Sequence, residues 1–143
     1  MKAEKINEMK LTLPALSSNE GTARAIVGAF CAQLNPTVEE IADLKCAVSE
    51  AVTNCIVHAY RGEGGIIYIS VALYDDRSIT VVIRDRGCGI PDVKLARQPL
   101  YTTNTDGERS GMGFSVMETF TDRLFVRSRI GVGTRVTMKK CLS

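Results

Sequence analysis

Between residues 61 and 66 the apolar residues of this chain pass from helical spacing to that of strands. From about residue 17 to that point they recur at helical spacing. Ala23, Ile26, Val27, Phe30 and Leu34 mark one helix, with Ser17, Ser18 and Asn19 as capping candidates. Asn35-Pro36-Thr37 stops it, and Thr37 with Glu40 makes a capping box for a second helix. That helix carries Ile41, Leu44, Val48, Ala51, Val52, Cys55 and Ala59 and is expected to end near Arg61-Gly62. Beyond it the pattern is that of strands. Residues 66–73 and 78–84 are rich in β-branched side chains and flank Tyr74-Asp75-Asp76-Arg77, which predicts an antiparallel hairpin. Residues 5–13 predict a first strand, 111–120 a short helix, and 124–128 and 133–138 two last strands joined through Gly131 and Gly133. Helices of this kind bury their apolar stripe on a sheet. The expected class is α+β, a two-layer sandwich of a mostly antiparallel sheet with helices on one face.

A chain of 143 residues with no repeat and no linker-like stretch fits a single domain spanning 1–143. Its net charge of +2 is too small to argue for nucleic acid or an anionic membrane. No apolar run approaches the ~18 residues that a membrane span needs, and the charged start MKAEKINEMK is not a signal peptide. The five cysteines, Cys31, Cys46, Cys55, Cys88 and Cys141, include no C-x-x-C pair. They are expected to be reduced and mostly buried, as in a cytoplasmic protein. Residues 98–110 have no period and many turn formers, and a loop of that length in a compact domain is expected to be a lid or a binding loop.

Four short patterns carry candidate chemistry. In SEAVTNCIVHAY, residues 49–60, the polar Glu50, Asn54 and His58 recur every four residues. On a helix they spread over only ~80°, with Glu50 and Asn54 ~6 Å apart along the axis. A carboxylate and an amide oxygen so placed suit a base beside a hydrated Mg²⁺, and equally the solvated flank of an amphipathic helix. Asp85-Arg86-Gly87-Cys88-Gly89 follows a strand; it is either a simple glycine turn or a loop whose backbone approaches a ligand, with Asp85 an acceptor for a purine amine. Arg109-Ser110-Gly111-Met112-Gly113-Phe114 opens a helix and suits phosphate, though a glycine cap reads the same way. Gly131-Val132-Gly133-Thr134 lies in the last hairpin. The chain has neither a P-loop nor a dinucleotide-binding fingerprint.

In this order the four patterns resemble the ATP-binding module of the GHKL class (Bergerat fold), which includes DNA gyrase and the histidine kinases. The segments VSEAVTNCIVHAY and LARQPLYTTNTDGERSGMGFSVME resemble the anti-sigma F factors of spore-forming bacteria, a family of small serine kinases, over nearly the whole chain. The resemblance implies a homodimer that binds Mg²⁺ with ATP or ADP, holds a sigma factor inactive and phosphorylates a serine of an anti-anti-sigma protein. The neighbouring alternatives are a kinase acting on a general stress sigma factor and a nucleotide-gated binding module without efficient catalysis. It implies Glu50 as general base, Asn54 as Mg²⁺ ligand and Arg109 at the γ-phosphate. Asp85, Gly87, Gly89 and Thr134 would form the adenine pocket. Gly111 and Gly113 would present N–H groups to the phosphates, with Thr103, Ser110, Met112 and Phe114 also at the nucleotide. Glu20 and Arg24 would dock protein partners, and His58 is structural. Two stretches depart from the family pattern: Asn104-Thr105-Asp106-Gly107 makes the lid less basic, and Arg86 and Cys88 stand where an acidic and a small aliphatic residue are usual. Cys88 is expected to be inert. The dimer is expected to form through the first strand and first helix region, where exposed Met9, Leu11 and Leu13 would pair edge to edge.

Overall fold

The computed structural model describes residues 2–98 and 113–143. Five strands, β1 (Lys5–Pro14), β2 (Ile66–Tyr74), β3 (Ser78–Asp85), β4 (Arg123–Arg129) and β5 (Gly133–Cys141), form one sheet. The order is β1-β2-β3-β5-β4, and every neighbouring pair is antiparallel. The helices α1 (Ser18–Cys31), α2 (Val38–Asn54) and α4 (Gly113–Phe120) supply the apolar residues that meet the sheet, and a single turn, α3 (Val93–Ala96), precedes the undescribed stretch.

Alternation along the strands decides which face is covered. Leu11, Ile69, Ile83, Val136 and Val126 stand opposite one another in a single row across all five strands. Met9, Val71, Val81, Met138 and Leu124 form the next row. Both rows belong to the core with Val27 of α1, Leu44, Val48 and Val52 of α2, and Met117 of α4. Each fully buried aliphatic side chain contributes roughly 1.5–3 kcal/mol, so these rows fix the register. A slip by one residue would turn both to solvent.

Met9, Leu11 and Leu13 are therefore not exposed. They are half-buried and packed on the core, because the pleat turns them toward the helices. What β1 leaves open is the backbone of a sheet edge. The face of α1 is also rotated from its expected setting: Gly28 and Cys31 are buried with Ala23 and Val27, whereas Ile26 is 36% exposed. The helix gives way to a 3₁₀ turn, Ala32–Leu34, and Ser17 caps it without a side-chain hydrogen bond.

The capping box of α2 is complete. Thr37 Oγ1 accepts from the Glu40 N–H at 3.0 Å, and Glu40 Oε1 accepts from the Thr37 N–H at 2.8 Å. The other oxygen of Glu40 accepts from the Ser143 N–H, and these bonds hold its carboxyl at about 2. All five cysteines are free thiols, but only Cys31 and Cys55 are buried; Cys46, on the outer side of α2, and Cys141 are exposed. Burial pushes the Cys31 thiol up to about 12.

Candidate functional site

The helix carrying Glu50 and Asn54 does not end as an α-helix. Directly after Asn54 the turn widens to a π-helix over Cys55–Ala59, with the Tyr60 N–H donating to Cys55 O at 3.0 Å. Such widened turns recur at functional sites. Here the turn presents two carbonyls to the D-x-G-x-G loop. Ala59 O accepts from the Cys88 N–H at 3.0 Å, and His58 O accepts from the Cys88 thiol at 3.4 Å. A Cβ on Gly87 would stand 2.4 Å from Ala59 O, so the loop packs this closely only with glycine there.

The other side of the loop rests on the β4–β5 turn. Cys88 O accepts from the Gly131 N–H at 2.9 Å, and Gly89, at φ +81°, passes so near Arg129 that a Cβ would lie 2.4 Å from its carbonyl oxygen. The room that Gly87 and Gly89 leave is filled by the protein's own backbone. Ser128 Oγ accepts from the Ile90 N–H at 2.7 Å and lies 2.8 Å from Thr134 Oγ1. Tyr60 Oη accepts from the Arg86 N–H at 2.7 Å and donates to Ile66 O at 2.6 Å. Neither Ser128 nor Tyr60 stood out in the sequence. The signal for Ser128 was there: it follows Leu124 and Val126 on the inward side of β4, a polar residue where the alternation asks for an apolar one.

Asp85, 6% exposed at the end of β3, is the buried charge of this region. Its Oδ1 accepts from the Gly87 N–H at 2.9 Å and from the Thr134 N–H at 3.2 Å. Burial raises its pKa, and those two bonds with the Cys55 thiol pull it partly back. Burial, reinforced by the charge of Asp85, pushes the Cys55 thiol well above its ordinary value. A carboxylate offers about four acceptor sites. Two N–H groups and one thiol leave it able to take a further donor, such as an exocyclic amine.

Glu50 and Asn54, both half-buried, meet the start of α4. A Cβ on Gly113 would stand 3.2 Å from Asn54 Oδ1 and 3.5 Å from Glu50 Oε2. The helix N-terminus, the amide and the carboxylate thus converge on one spot, with oxygen donors of the kind Mg²⁺ takes. Phe114 is 8% exposed and belongs to the core cluster. Among the described residues no three His, Cys, Asp or Glu side chains group as a metal cluster. Thr103, Arg109, Ser110, Gly111 and Met112, and the lid at 98–110 apart from Gln98, lie outside the described residues. Glu20 is half-buried in the first turn of α1, accepts from the Ser49 hydroxyl and lies 3.6 Å from the exposed Arg24.

Residues 13–140 match the family model described as a histidine kinase-like ATPase domain. The chain is 55% identical over 134 residues to the anti-sigma F factor of Caldanaerobacter subterraneus subsp. tengcongensis, covering 94% of this chain and 93% of that protein. It is 50% identical to the anti-sigma F factor of Clostridium acetobutylicum over the same shares. Among solved structures, that of the RsbU and RsbW domains of Rv1364c from Mycobacterium tuberculosis superposes with a TM-score of 0.68 at 22% identity, over 96% of this chain and 33% of that one. The catalytic domain of histidine kinase ThkA does so with a TM-score of 0.59 at 14% identity, over 96% and 97%. By sequence and by fold, the chain belongs to the histidine kinase-like ATPase family, in its anti-sigma F factor branch.

Proposed function

We propose that this protein is an ATP-dependent protein-serine kinase that also binds and inhibits a sporulation sigma factor, and that its substrate is a serine of the anti-anti-sigma protein that opposes it. The observation that carries this reading is the convergence of Glu50 and Asn54 on the N-terminus of α4 at Gly113. The extent of similarity to anti-sigma F factors supports the choice of partners.

Phosphoryl transfer asks chiefly for positioning and charge neutralisation. Asp85 takes the adenine amine, in a pocket completed by Gly87, Gly89 and Thr134 and braced by Ser128. Asn54 would hold a Mg²⁺, an ion that takes oxygen donors and would supply positive charge to offset the phosphates. The Gly113 end of α4 presents N–H groups and the positive end of its dipole to the phosphates, with Gly111, Ser110 and Met112 continuing that contact and Arg109 at the γ-phosphate. Thr103 belongs to the same lid, and Phe114 anchors α4 in the core behind it. Glu50 accepts the proton of the substrate serine as its oxygen attacks, a step worth ~10²–10⁴ in rate.

Glu20 and Arg24, on the exposed start of α1, dock the protein partners. The protein acts as a homodimer in the cytoplasm; no helix among the described residues is long and apolar enough to cross a membrane. The test is incubation with labelled ATP, Mg²⁺ and the anti-anti-sigma protein. Label should pass to one serine with wild type and fall at least ~100-fold with Glu50→Gln, while Mg-ADP binding is kept. Nucleotide-dependent sigma binding with no transfer from wild type would overturn the kinase assignment, and absence of Mg-ADP binding would overturn the whole reading.

A further inference from the structure

The face of the sheet turned away from the helices carries a second concentration of chemistry. The row next to the Leu11 row reads Thr12, Tyr68, Arg84, Arg135 and Arg127, one residue from each strand in register. Three guanidinium-bearing residues thus occupy neighbouring strands, ~4.8 Å apart. Like charges placed directly opposite one another in a sheet are destabilising. Arg86 and Arg129 extend the group, and these five of the chain's eleven arginines line one cavity of about 340 Å³.

Nothing in the described structure neutralises them. All five are exposed, and none takes part in an ion pair among the described residues. The carboxylate of Asp85 is turned inward to the Gly87 and Thr134 N–H groups. Arg84 and Arg86 instead lie over the Tyr68 ring, at 4.7 and 4.9 Å from its centre, which holds two of the cations in place. The chain as a whole has a net charge of only +2, so the concentration is local.

We propose that the arginine-bearing side of this cavity, whose lining also includes Asp85, Ser128 and Thr134 of the nucleotide region, binds a compact oligophosphate, two or three linked phosphate groups. Guanidinium forks match phosphate oxygens bidentately, and several of them around one cavity suit charges linked at short spacing. The depression of about 340 Å³ is open to solvent and sets the five arginines within one small area, which suits a compact anion. The phosphates come either free or as the tail of a nucleotide.

The experiment is a titration of the ¹⁵N-labelled full chain with inorganic tripolyphosphate, with and without saturating ADP. Shifts are expected at the amides and side-chain Nε groups of Arg84, Arg86, Arg127, Arg129 and Arg135 in both cases, weakening as salt rises. Further shifts at the same amides with excess ADP would identify a nucleotide tail as the source; their absence would identify the free anion. The double variant Arg127→Gln/Arg135→Gln should raise the Kd at least tenfold. Its melting temperature without ligand should be no lower than that of wild type, and tripolyphosphate should raise the melting temperature of wild type alone. Shifts confined to α2 and α4, an unchanged Kd in the double variant, or binding of a poly-glutamate peptide or single-stranded DNA without tripolyphosphate binding would each overturn the proposal.

Discussion

Gly113 faces Asn54 across the gap between α4 and α2, so closely that an added Cβ would sit 3.2 Å from the amide oxygen. That contact is tighter than side chains ordinarily make, and Asn54 Nδ2 at 3.3 Å and Glu50 Oε2 at 3.5 Å would be the next atoms met. Gly113→Ala should therefore displace Asn54 from the position in which we propose it holds a metal. We expect Mg-nucleotide affinity to fall about tenfold or more, a change of at least ~1.4 kcal/mol. Unfolding stability should change little, since alanine is the better helix former. Calorimetric titration beside a thermal melt checks both, and unaltered affinity would show that Gly113 is not at the phosphates.

If Asp85 takes the adenine amine as proposed, it should give nucleotide binding a pH limit. Its folded pKa is raised by burial, so as pH falls it takes up its proton earlier than an exposed carboxylate would. A protonated Asp85 loses acceptor capacity for an adenine amine. Mg-ADP affinity should therefore decline at a pH above the ordinary carboxylate value of 3.8. Asp85→Asn should weaken binding at neutral pH, where Asp85 is ionised, and remove that dependence. For folding the sign is opposite to a salt-bridged carboxylate: a raised pKa favours the folded state at low pH and is a cost at neutral pH.

Glu40 acts in the other direction. Its hydrogen bonds to Thr37 and Ser143 lower its pKa to about 2, from an ordinary 4.5. The stability it contributes is full above 4.5 and is lost as pH falls from there toward 2. In urea melts, Glu40→Gln should flatten the pH dependence in that window, with a neutral-pH loss of the kind a broken cap gives. An unchanged profile would mean that the capping box persists in the unfolded chain or contributes nothing.

Two glycines near the adenine-side loop should respond differently to alanine. At Gly131, φ +76° strains any side chain but no atom lies within 4 Å of a Cβ, so the cost should be about 1–2 kcal/mol. At Gly87 a Cβ meets the Ala59 backbone at 2.4 Å, so the loop itself has to move. Gly87→Ala should cost about 2–3 kcal/mol and also weaken nucleotide binding, whereas Gly131→Ala should leave binding near wild type. Equal effects on binding would separate the loop's position from its role.

Most of the architecture is legible from local chemistry. The Thr37–Glu40 box, the β-branched hairpin and the glycines of the last turn each announce their element without tertiary help. The site is legible in part, because Glu50 and Asn54 share a helix flank whose spacing can be counted. The π turn at Cys55–Ala59 could not be read. Its residues continue the apolar period of α2, and only the fit of Cys88 and Gly87 against Ala59 shows where the winding changes. The facing of α1 was misjudged for a related reason: glycine and cysteine at 28 and 31 are buried by close helix packing, which hydrophobic periodicity underweights. Tyr60 joins the first residue of β2, Ile66, to the loop after β3 at Arg86, and no spacing rule encodes such a bridge.

The placement of β5 has a consequence for how the chain reaches this state. It follows β4 in sequence yet lies between β3 and β4, while β1 waits more than fifty residues for β2. The sheet thus closes only when its last-made strand enters an interior position, a non-local step of the kind that slows folding. Until then β3 carries an open edge and β4, whose one partner is β5, has none, so both are open to pairing with another chain. A polypeptide stopped short of Gly133 is therefore a three-stranded sheet with a loose fourth strand, a natural substrate for chaperones and proteases rather than a weaker version of the same protein.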